Sequence, residues 1–314
     1  MASSHRTTAK AWPLDSGLRD SSKNRFILPG VAILYDRRGQ AHSPVAEGMR
    51  LKELDPHPLH EILFENAGPR RQGPETRILP VARAVVDSLP SKLDAILVTG
   101  DLQGLEVGES ARGVPRALGE VLAQEMAELG ERGDVPGAQR TGVILTGDMF
   151  AGLDLYRRGA SGDPSRVWDA FAQAFRWVVG VAGNHDLFPP RQVKSRNVRL
   201  LNGEVTELDT LRIGGVSGII GDPRKPNRYR QEDFVSRLED VCRRRPDIVV
   251  LHESPGIPEL GLAGKPFITE VLARTSPVLV ACGHAYWDKP LVPIGRVQVL
   301  NVDGRAVVLI AKKS

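Results

Sequence analysis

Five segments of this sequence close an apolar run with a residue able to ligate a metal. They are Gly100-Asp101, Gly147-Asp148, Gly183-Asn184-His185-Asp186, Leu251-His252 and Gly283-His284. Singly, each has an ordinary explanation. An Asp after a strand bonds its own backbone in a turn, and a lone His is more often a satisfied core or surface residue than a ligand. Five in succession, at the same place in the local pattern, point instead to a shared site. The donors are two carboxylates, an amide oxygen and two imidazoles. That hard-to-borderline set suits Mn, Fe or Zn better than Ca, which prefers oxygen throughout. A carboxylate can bridge two cations, and metals roughly 3.5–4 Å apart clamp the attacking and leaving oxygens of an in-line displacement. The nucleophile of such chemistry is an acidified water.

The elements that must position these groups alternate in type. Leu93–Gly100 reads as a short buried strand, followed by a stretch in which Leu118, Val121, Leu122, Met126 and Leu129 recur at helical spacing. Gly142–Gly147 is a second strand. Asp163-Pro164 marks a helix start, and Val167, Phe171, Ala174 and Phe175 share one face of that helix. The segments WVVGVAG and LRIGGVSGII read as further strands, and a helix carries Phe234, Leu238, Val241 and Cys242 on one face. DIVVLHESP, a short helix near Pro266–Arg274, PVLVACGH and a closing pair, RVQVLNV and RAVVLIA, complete the chain. This alternation predicts an α/β layered protein with mixed sheets, and ligands in such folds gather outside the carboxyl ends of strands. Upstream, Phe26–Asp36 reads as one or two short strands, and periodicity from Arg37 to Pro80 is poor. The expected division is a tail over 1–25, an N-terminal elaboration packed on the core over 26–92, and the chemistry-bearing domain over 93–314.

Composition narrows the class. With 314 residues, 41% of them hydrophobic, the chain can bury a substantial core. A formal net charge of +4 fits a phosphate-bearing substrate and falls short of demanding nucleic acid. Two cysteines, Cys242 and Cys282, sit in apolar contexts and read as buried thiols with no disulfide framework. No run approaches the roughly 18–20 apolar residues of a membrane span. The Ser- and Arg-bearing first residues lack the apolar segment of a secretory signal. They are compatible with a tail or an organellar transit peptide, and a cytoplasmic protein is the default expectation.

The ordered motifs, Gly100-Asp101-Leu102-Gln103-Gly104, Gly147-Asp148, Gly183-Asn184-His185-Asp186, His252 in LHESP, and Gly283-His284-Ala285-Tyr286, resemble the calcineurin-like metallophosphoesterase superfamily over about Leu93 to Ala311. The resemblance implies a four-layer α/β/β/α sandwich of two mixed β-sheets. It implies that Asp148 is the carboxylate bridging two metals, and that Asn184, His252 and His284 complete one of the two positions. His185 would contact the substrate phosphate and protonate the leaving group, with Asp186 orienting it. At the other position the family uses Asp101, Asp148 and two histidines, where this chain has Gln103 and Tyr286. In an alternative register, Asp36 and Asp101 take the first two motifs and Asp148 is surplus. The spacing of Asp148, one helix before Asn184, favours the first register.

Gln103 can offer a carbonyl oxygen and Tyr286 a phenol. A phenolate requires a strong Lewis acid such as ferric iron, because tyrosine's ordinary pKa is about 10. Three arrangements follow: two metals with one unusual ligand set, a single tightly held metal, or a catalytically weak binding or regulatory protein on a degenerate phosphoesterase fold. The intact His185–Asp186 pair favours a metal-dependent hydrolase of phosphate esters, phosphodiesterase or phosphomonoesterase. Arg191, Lys194, Arg196 and Arg199, and Arg224, Lys225, Arg228 and Arg230, are candidate phosphate contacts or solvated loop charges. Aromatic residues make up 5% of the chain and do not interleave with basic ones, so a small phosphate ester is the expected partner in preference to nucleic acid. Trp287 is a pocket wall or a core residue.

Overall fold

The computed structural model describes residues 49–68, 73–108, 113–189, 196–275 and 277–312. The tail, the Phe26–Asp36 strands, Arg191 and Lys194 lie outside the described residues. In chain order the first half comprises β1 (Leu51–Leu54), β2 (His60–Ala67), β3 (Pro74–Val86), β4 (Ala95–Thr99), β5 (Leu105–Glu106), α1 (Leu118–Arg132), β6 (Thr141–Leu145), α2 (Ser165–Ala174), β7 (Trp177–Gly180) and β8 (Val198–Leu200). The second half comprises β9 (Glu204–Leu208), β10 (Leu211–Val216), β11 (Ile219–Ile220), β12 (Arg228–Tyr229), α3 (Gln231–Arg243), β13 (Ile248–Leu251), α4 (Pro266–Thr275), β14 (Leu279–Cys282), β15 (Leu291–Ile294), β16 (Val297–Asn301) and β17 (Ala306–Ala311).

Two mixed sheets dominate. One runs β5-β2-β3-β17-β4-β6-β7-β8 with β1 added on β3, and the other runs β15-β16-β14-β13-β10-β9. Their central strands are parallel and read as unbroken apolar runs, because both faces are covered. Side chains alternate between those faces. In β4 and β6, Leu97 and Val143 join Leu122 and Met126 of α1 and Trp168 and Phe171 of α2 in one core. Ile96, Val98 and Ile144 point the other way and meet Ile213, Val250 and Ala281 of the second sheet. On the far side of that sheet, Val249 and Val280 pack against Phe234 and Leu238 of α3 and Val271 of α4. Three cores between four layers make the α/β/β/α sandwich.

The helices begin and end where local chemistry permits. Glu120 reaches back to accept the Ala117 N–H at 2.9 Å, and α1 stops at Gly133, whose left-handed backbone (φ 83°) suits glycine. Asp163 accepts the Ser165 N–H at 2.9 Å at the start of α2. The apolar faces expected of α1, α2 and α3 are buried, with Ala174 at the margin.

The strand pairing sharpens two expectations about the sheets. From residue 49 onward, the segment expected to pack on the core as an N-terminal elaboration contains the regular strands β1, β2 and β3. β3 pairs with β17, and β17 pairs with β4, so the proposed boundary at 92 falls between strands of one sheet. The period of β2 is masked because Leu63 is 58% exposed while Ile62 and Phe64 point inward. The two closing segments are both strands, but in different sheets: β16 lies between β14 and β15, whereas β17 crosses to the first sheet. The Asp303-Gly304 turn carries the chain from one sheet to the other.

Candidate metal centre

β4, β6, β7, β13 and β14 all end at one rim of the sandwich, and the residues that follow them supply Asp101, Asp148, Asn184, His252 and His284. Three of these hold a conformation that side chains with a Cβ seldom adopt: Asp101 (φ 54°), Asp148 (φ 55°) and His284 (φ 66°) are left-handed. Strain repeated at three strand ends is characteristic of sites that need a particular side-chain direction. Nearby glycines make the crowding feasible. A β-carbon on Gly183 would lie 2.0 Å from Asp148 Oδ1, and one on Gly283 would lie 2.2 Å from Asp101 Oδ2. Glycine at those positions leaves the space the carboxylates fill.

Asp148, His252 and His284 converge, with one ligand atom from each lying within 4.8 Å of the others. His252 Nδ1 is tied to the Thr146 carbonyl at 2.9 Å. That bond turns Nε2 inward, 3.1 Å from Asn184 Oδ1 and 3.5 Å from Asp148 Oδ2. Fixing one imidazole nitrogen on a carbonyl so that the other faces a shared centre is how proteins orient metal-ligating histidines. The His284 ring centroid is 4.9 Å from that of His252, and the His284 backbone N–H donates to Asp101 Oδ2 at 3.0 Å. Buried Asn301 steadies the turn by donating to the Ala285 carbonyl at 2.8 Å.

The electrostatics of the cluster are divided. Burial works against a charged His252, but the Asp148 and Asp101 carboxylates raise its pKa to about 10. His284, buried and beside His252, is depressed to about 4. Burial works against a charged Asp148 as well, yet His252 and His185 hold its carboxyl below the usual range. Asp101 is raised well above that range by burial and by the neighbouring Asp303 carboxylate. A cation fits this set on chemical grounds. Carboxylates crowded together are relieved by positive charge, and imidazole with carboxylate and amide oxygen is a borderline-metal donor set. Asp148, Asn184, His252 and His284 can hold such an ion.

The positions matched to the family's other two histidines are arranged differently. Gln103 Nε2 donates to Asp148 Oδ2 at 3.0 Å, so the side chain is beside that carboxylate. Tyr286 is 59% exposed, and its ring lies 4.6 Å from the guanidinium carbon of buried Arg305. Among the described residues it makes no bond to Asp101, Gln103 or Asp148. Trp287, by contrast, is a core residue, 1% exposed, whose Nε1 donates to the Ala263 carbonyl at 2.7 Å.

Asp186 does not orient His185. Its Oδ2 accepts the Asp148 and Gly183 N–H groups at 2.8 and 2.9 Å, and its Oδ1 accepts those of Met149 and Phe150 at 2.9 and 3.0 Å. Burial and the Asp148 charge push its pKa up to about 6, against the pull of those donors. The residue binds the Gly147-Asp148 loop to the Gly183-Asn184 loop, and its fully buried carboxylate has no capacity left for an imidazole. The partner of His185 Nδ1 is Ser161 Oγ, at 3.0 Å.

Three further groups of this site escaped the sequence reading. Asp303 is bridged through its backbone to Gly100. Its carboxyl pKa is raised by burial, with the Asp148 charge adding to the rise, while His252 and Arg305 pull it down. Asn227 donates from Nδ2 to the Gly183 and Asp186 carbonyls at 2.9 and 2.5 Å, fixing the loop that carries His185. Ser161 is the third. Asp303 carries a turn signal, Asp-Gly after a strand, of the same kind as Gly-Asp. The other two carry none.

The calcineurin-like phosphoesterase profile matches residues 94–287, and the chain belongs to that family. Its members are metal-dependent phosphoester hydrolases. No curated protein matches the chain in sequence. Among solved structures, TT1561 of Thermus thermophilus is 17% identical over 68% of this chain and 90% of its own, with a TM-score of 0.46. The phosphopantetheinyl hydrolase PptH of Mycobacterium tuberculosis is 13% identical over 67% of this chain and 89% of its own, with a TM-score of 0.41.

Proposed function

We propose that the protein hydrolyses a small phosphate ester, monoester or diester, at the rim where the five strands end. The observation that carries this reading is the convergence of Asp148, His252, His284 and Asn184 on one centre, with the partly exposed His185 beside it. When bound, Mn, Fe or Zn would supply Lewis acidity and an acidified water there. Asp148, Asn184, His252 and His284 form the stronger position. Asp101, Gln103 and the shared Asp148 form a weaker, oxygen-rich one, with Tyr286 as a remote candidate and Asp303 as a further carboxylate next to Asp101. For Gln103 to serve as a ligand, its carboxamide turns over so that Oε1 replaces Nε2 beside Asp148.

The chain's own groups divide the work. His185 is held through Nδ1 by Ser161, which leaves Nε2 to contact a phosphoryl oxygen and to pass a proton to the departing oxygen. Asp186 and Asn227 act as positioning residues by fixing the two loops. No described helix is long and apolar enough to cross a membrane, and a cytoplasmic enzyme acting on a small substrate, not on nucleic acid, is the reading the composition supports. A binding or regulatory role on the same fold is the second reading, favoured by the missing imidazoles at positions 103 and 286. Metal analysis of the purified protein, together with a panel of phosphate esters assayed with Mn, Fe and Zn, decides between them. Metal-stimulated phosphate release supports the hydrolase. Ligand affinity without turnover supports the binding protein, and absence of both bound metal and turnover rules out the enzyme.

A further inference from the structure

Beside the strand-end cluster lies a cavity of about 220 Å³. One wall comes from the β2–β3 hairpin through Asn66 and Arg77, and another from Gln103. The third is the loop after β6, with Asp154, Arg157 and Arg158. Two of these walls touch the proposed reaction centre. Gln103 donates to Asp148 Oδ2 at 3.0 Å, and a β-carbon at Gly159 would lie 3.5 Å from Cε1 of His185. The cavity is below the roughly 300 Å³ at which pockets begin to enclose a whole ligand. It is the size for one end of a molecule whose other end is elsewhere.

Its charge identifies that end. Arg77 is committed to Glu75, and Arg158 is held by the Ala67 carbonyl at 2.9 Å with Glu75 3.9 Å away. The Arg157 guanidinium has no hydrogen bond or ion pair among the described residues. The lining carboxylate, Asp154, accepts the Tyr156 N–H at 3.0 Å on Oδ1 and is outnumbered by the three lining guanidiniums. Guanidinium presents a planar fork matched to phosphoryl oxygens, and such pairs are about twice as strong as neutral hydrogen bonds.

We propose that this cavity is a subsite for a second phosphoryl group, with Arg157 as its main contact and Arg158 beside it. The preferred substrates are then phosphate esters that carry a separate phosphate distant from the scissile one. This rests on the hydrolase reading for its kinetic form but not for its binding form.

The test compares AMP with adenosine bisphosphate, which differ by one phosphoryl group. In the native protein kcat/KM for the bisphosphate should exceed that for AMP by about tenfold, the equivalent of one charge-assisted pair. Arg157→Ala, and separately Arg158→Ala, should bring that ratio towards one. Reading a ratio removes losses of folding or metal, which lower both substrates together. A native ratio near one, or a ratio unchanged in both variants, would overturn the subsite. If neither nucleotide is hydrolysed with Mn, Fe or Zn, the hydrolase reading is decided by the wider panel of phosphate esters, and equilibrium dialysis with adenosine bisphosphate tests the subsite alone. Binding that weakens about tenfold in Arg157→Ala supports it, and binding equal to that of AMP overturns it.

Discussion

On one side of Asp148, His252, His284 and Asn184 close around a common point, with His252 turned inward by a backbone carbonyl. On the other side stand Asp101, Gln103 and Asp303, with Tyr286 facing outward over Arg305. Both sides border Asp148 and the same strand-end architecture, yet only one carries imidazoles. The contrast shows which parts of such a site the fold supplies and which the side chains must. Left-handed strand ends and close-fitting glycines occur on both sides, because they belong to the sheets. Affinity belongs to the donors, and an amide or carboxylate binds borderline metals less selectively than imidazole. The complete half should therefore hold metal under conditions where the altered half loses it.

The strongest challenge to this contrast is removal of the shared ligand. Asp148→Asn takes a charge from both halves. Metal content measured by elemental analysis should fall to background, and ester hydrolysis should drop by roughly a thousandfold or more, exceeding the 10–100-fold typical of losing an outer-shell partner. Retention of metal and turnover in this variant would mean that the chemistry lies elsewhere. Next in size is Gly183→Ala, which tests the fold's share. The added methyl would meet Asp148 Oδ1 at 2.0 Å and the Asp148 backbone nitrogen at 2.3 Å. Overpacking against backbone should cost about 3 kcal/mol. Thermal unfolding of the metal-free protein should then shift down by roughly 4–5 °C. An unchanged midpoint would show that the rim relaxes freely.

What the sequence made legible follows from burial. β4, β6, β13 and β14 are covered on both faces, so each reads as a continuous apolar run whose end is marked by a polar residue at 101, 148, 252 or 284. Helical faces were legible for the same reason. β2 and β3 were not, because they lie towards the sheet edge, and Leu63 and Ile78 face outward among charged neighbours. The partners of β17, β3 and β4, lie far back in the chain, and nothing in its own apolar run marks them. Asp186 shows a different limit. Its place next to His185 is plain in the sequence, but the direction of its carboxylate is decided by four amides donated from two loops. The arginines of the cavity, Arg77 and Arg157 with Arg158, come from segments far apart in the chain and meet only on folding.

Two smaller changes sharpen the contrast from the altered side. Gln103→His restores an imidazole beside Asp148 and Asp101. Equilibrium dialysis with Mn should show a second metal bound about ten times more tightly than in the native protein, since an imidazole donor is a stronger borderline ligand than an amide. No gain would mean that the position is closed for reasons beyond its ligands. The smallest effect is expected at Tyr286. Its phenol stands where the family has a histidine, but its ring is exposed and stacked against Arg305 at 4.6 Å. The ring contact contributes about 0.5–1 kcal/mol, and the phenol also supports the Arg305 charge against its burial. Tyr286→Phe should therefore leave metal content and kcat/KM within about twofold of native, while Tyr286→Ala loses the stacking and lowers thermal stability slightly. A ferric protein whose visible absorption disappears in Tyr286→Phe would reverse this, because it would require the phenolate to swing from Arg305 to the metal, and the altered half would then count Tyr286 among its ligands.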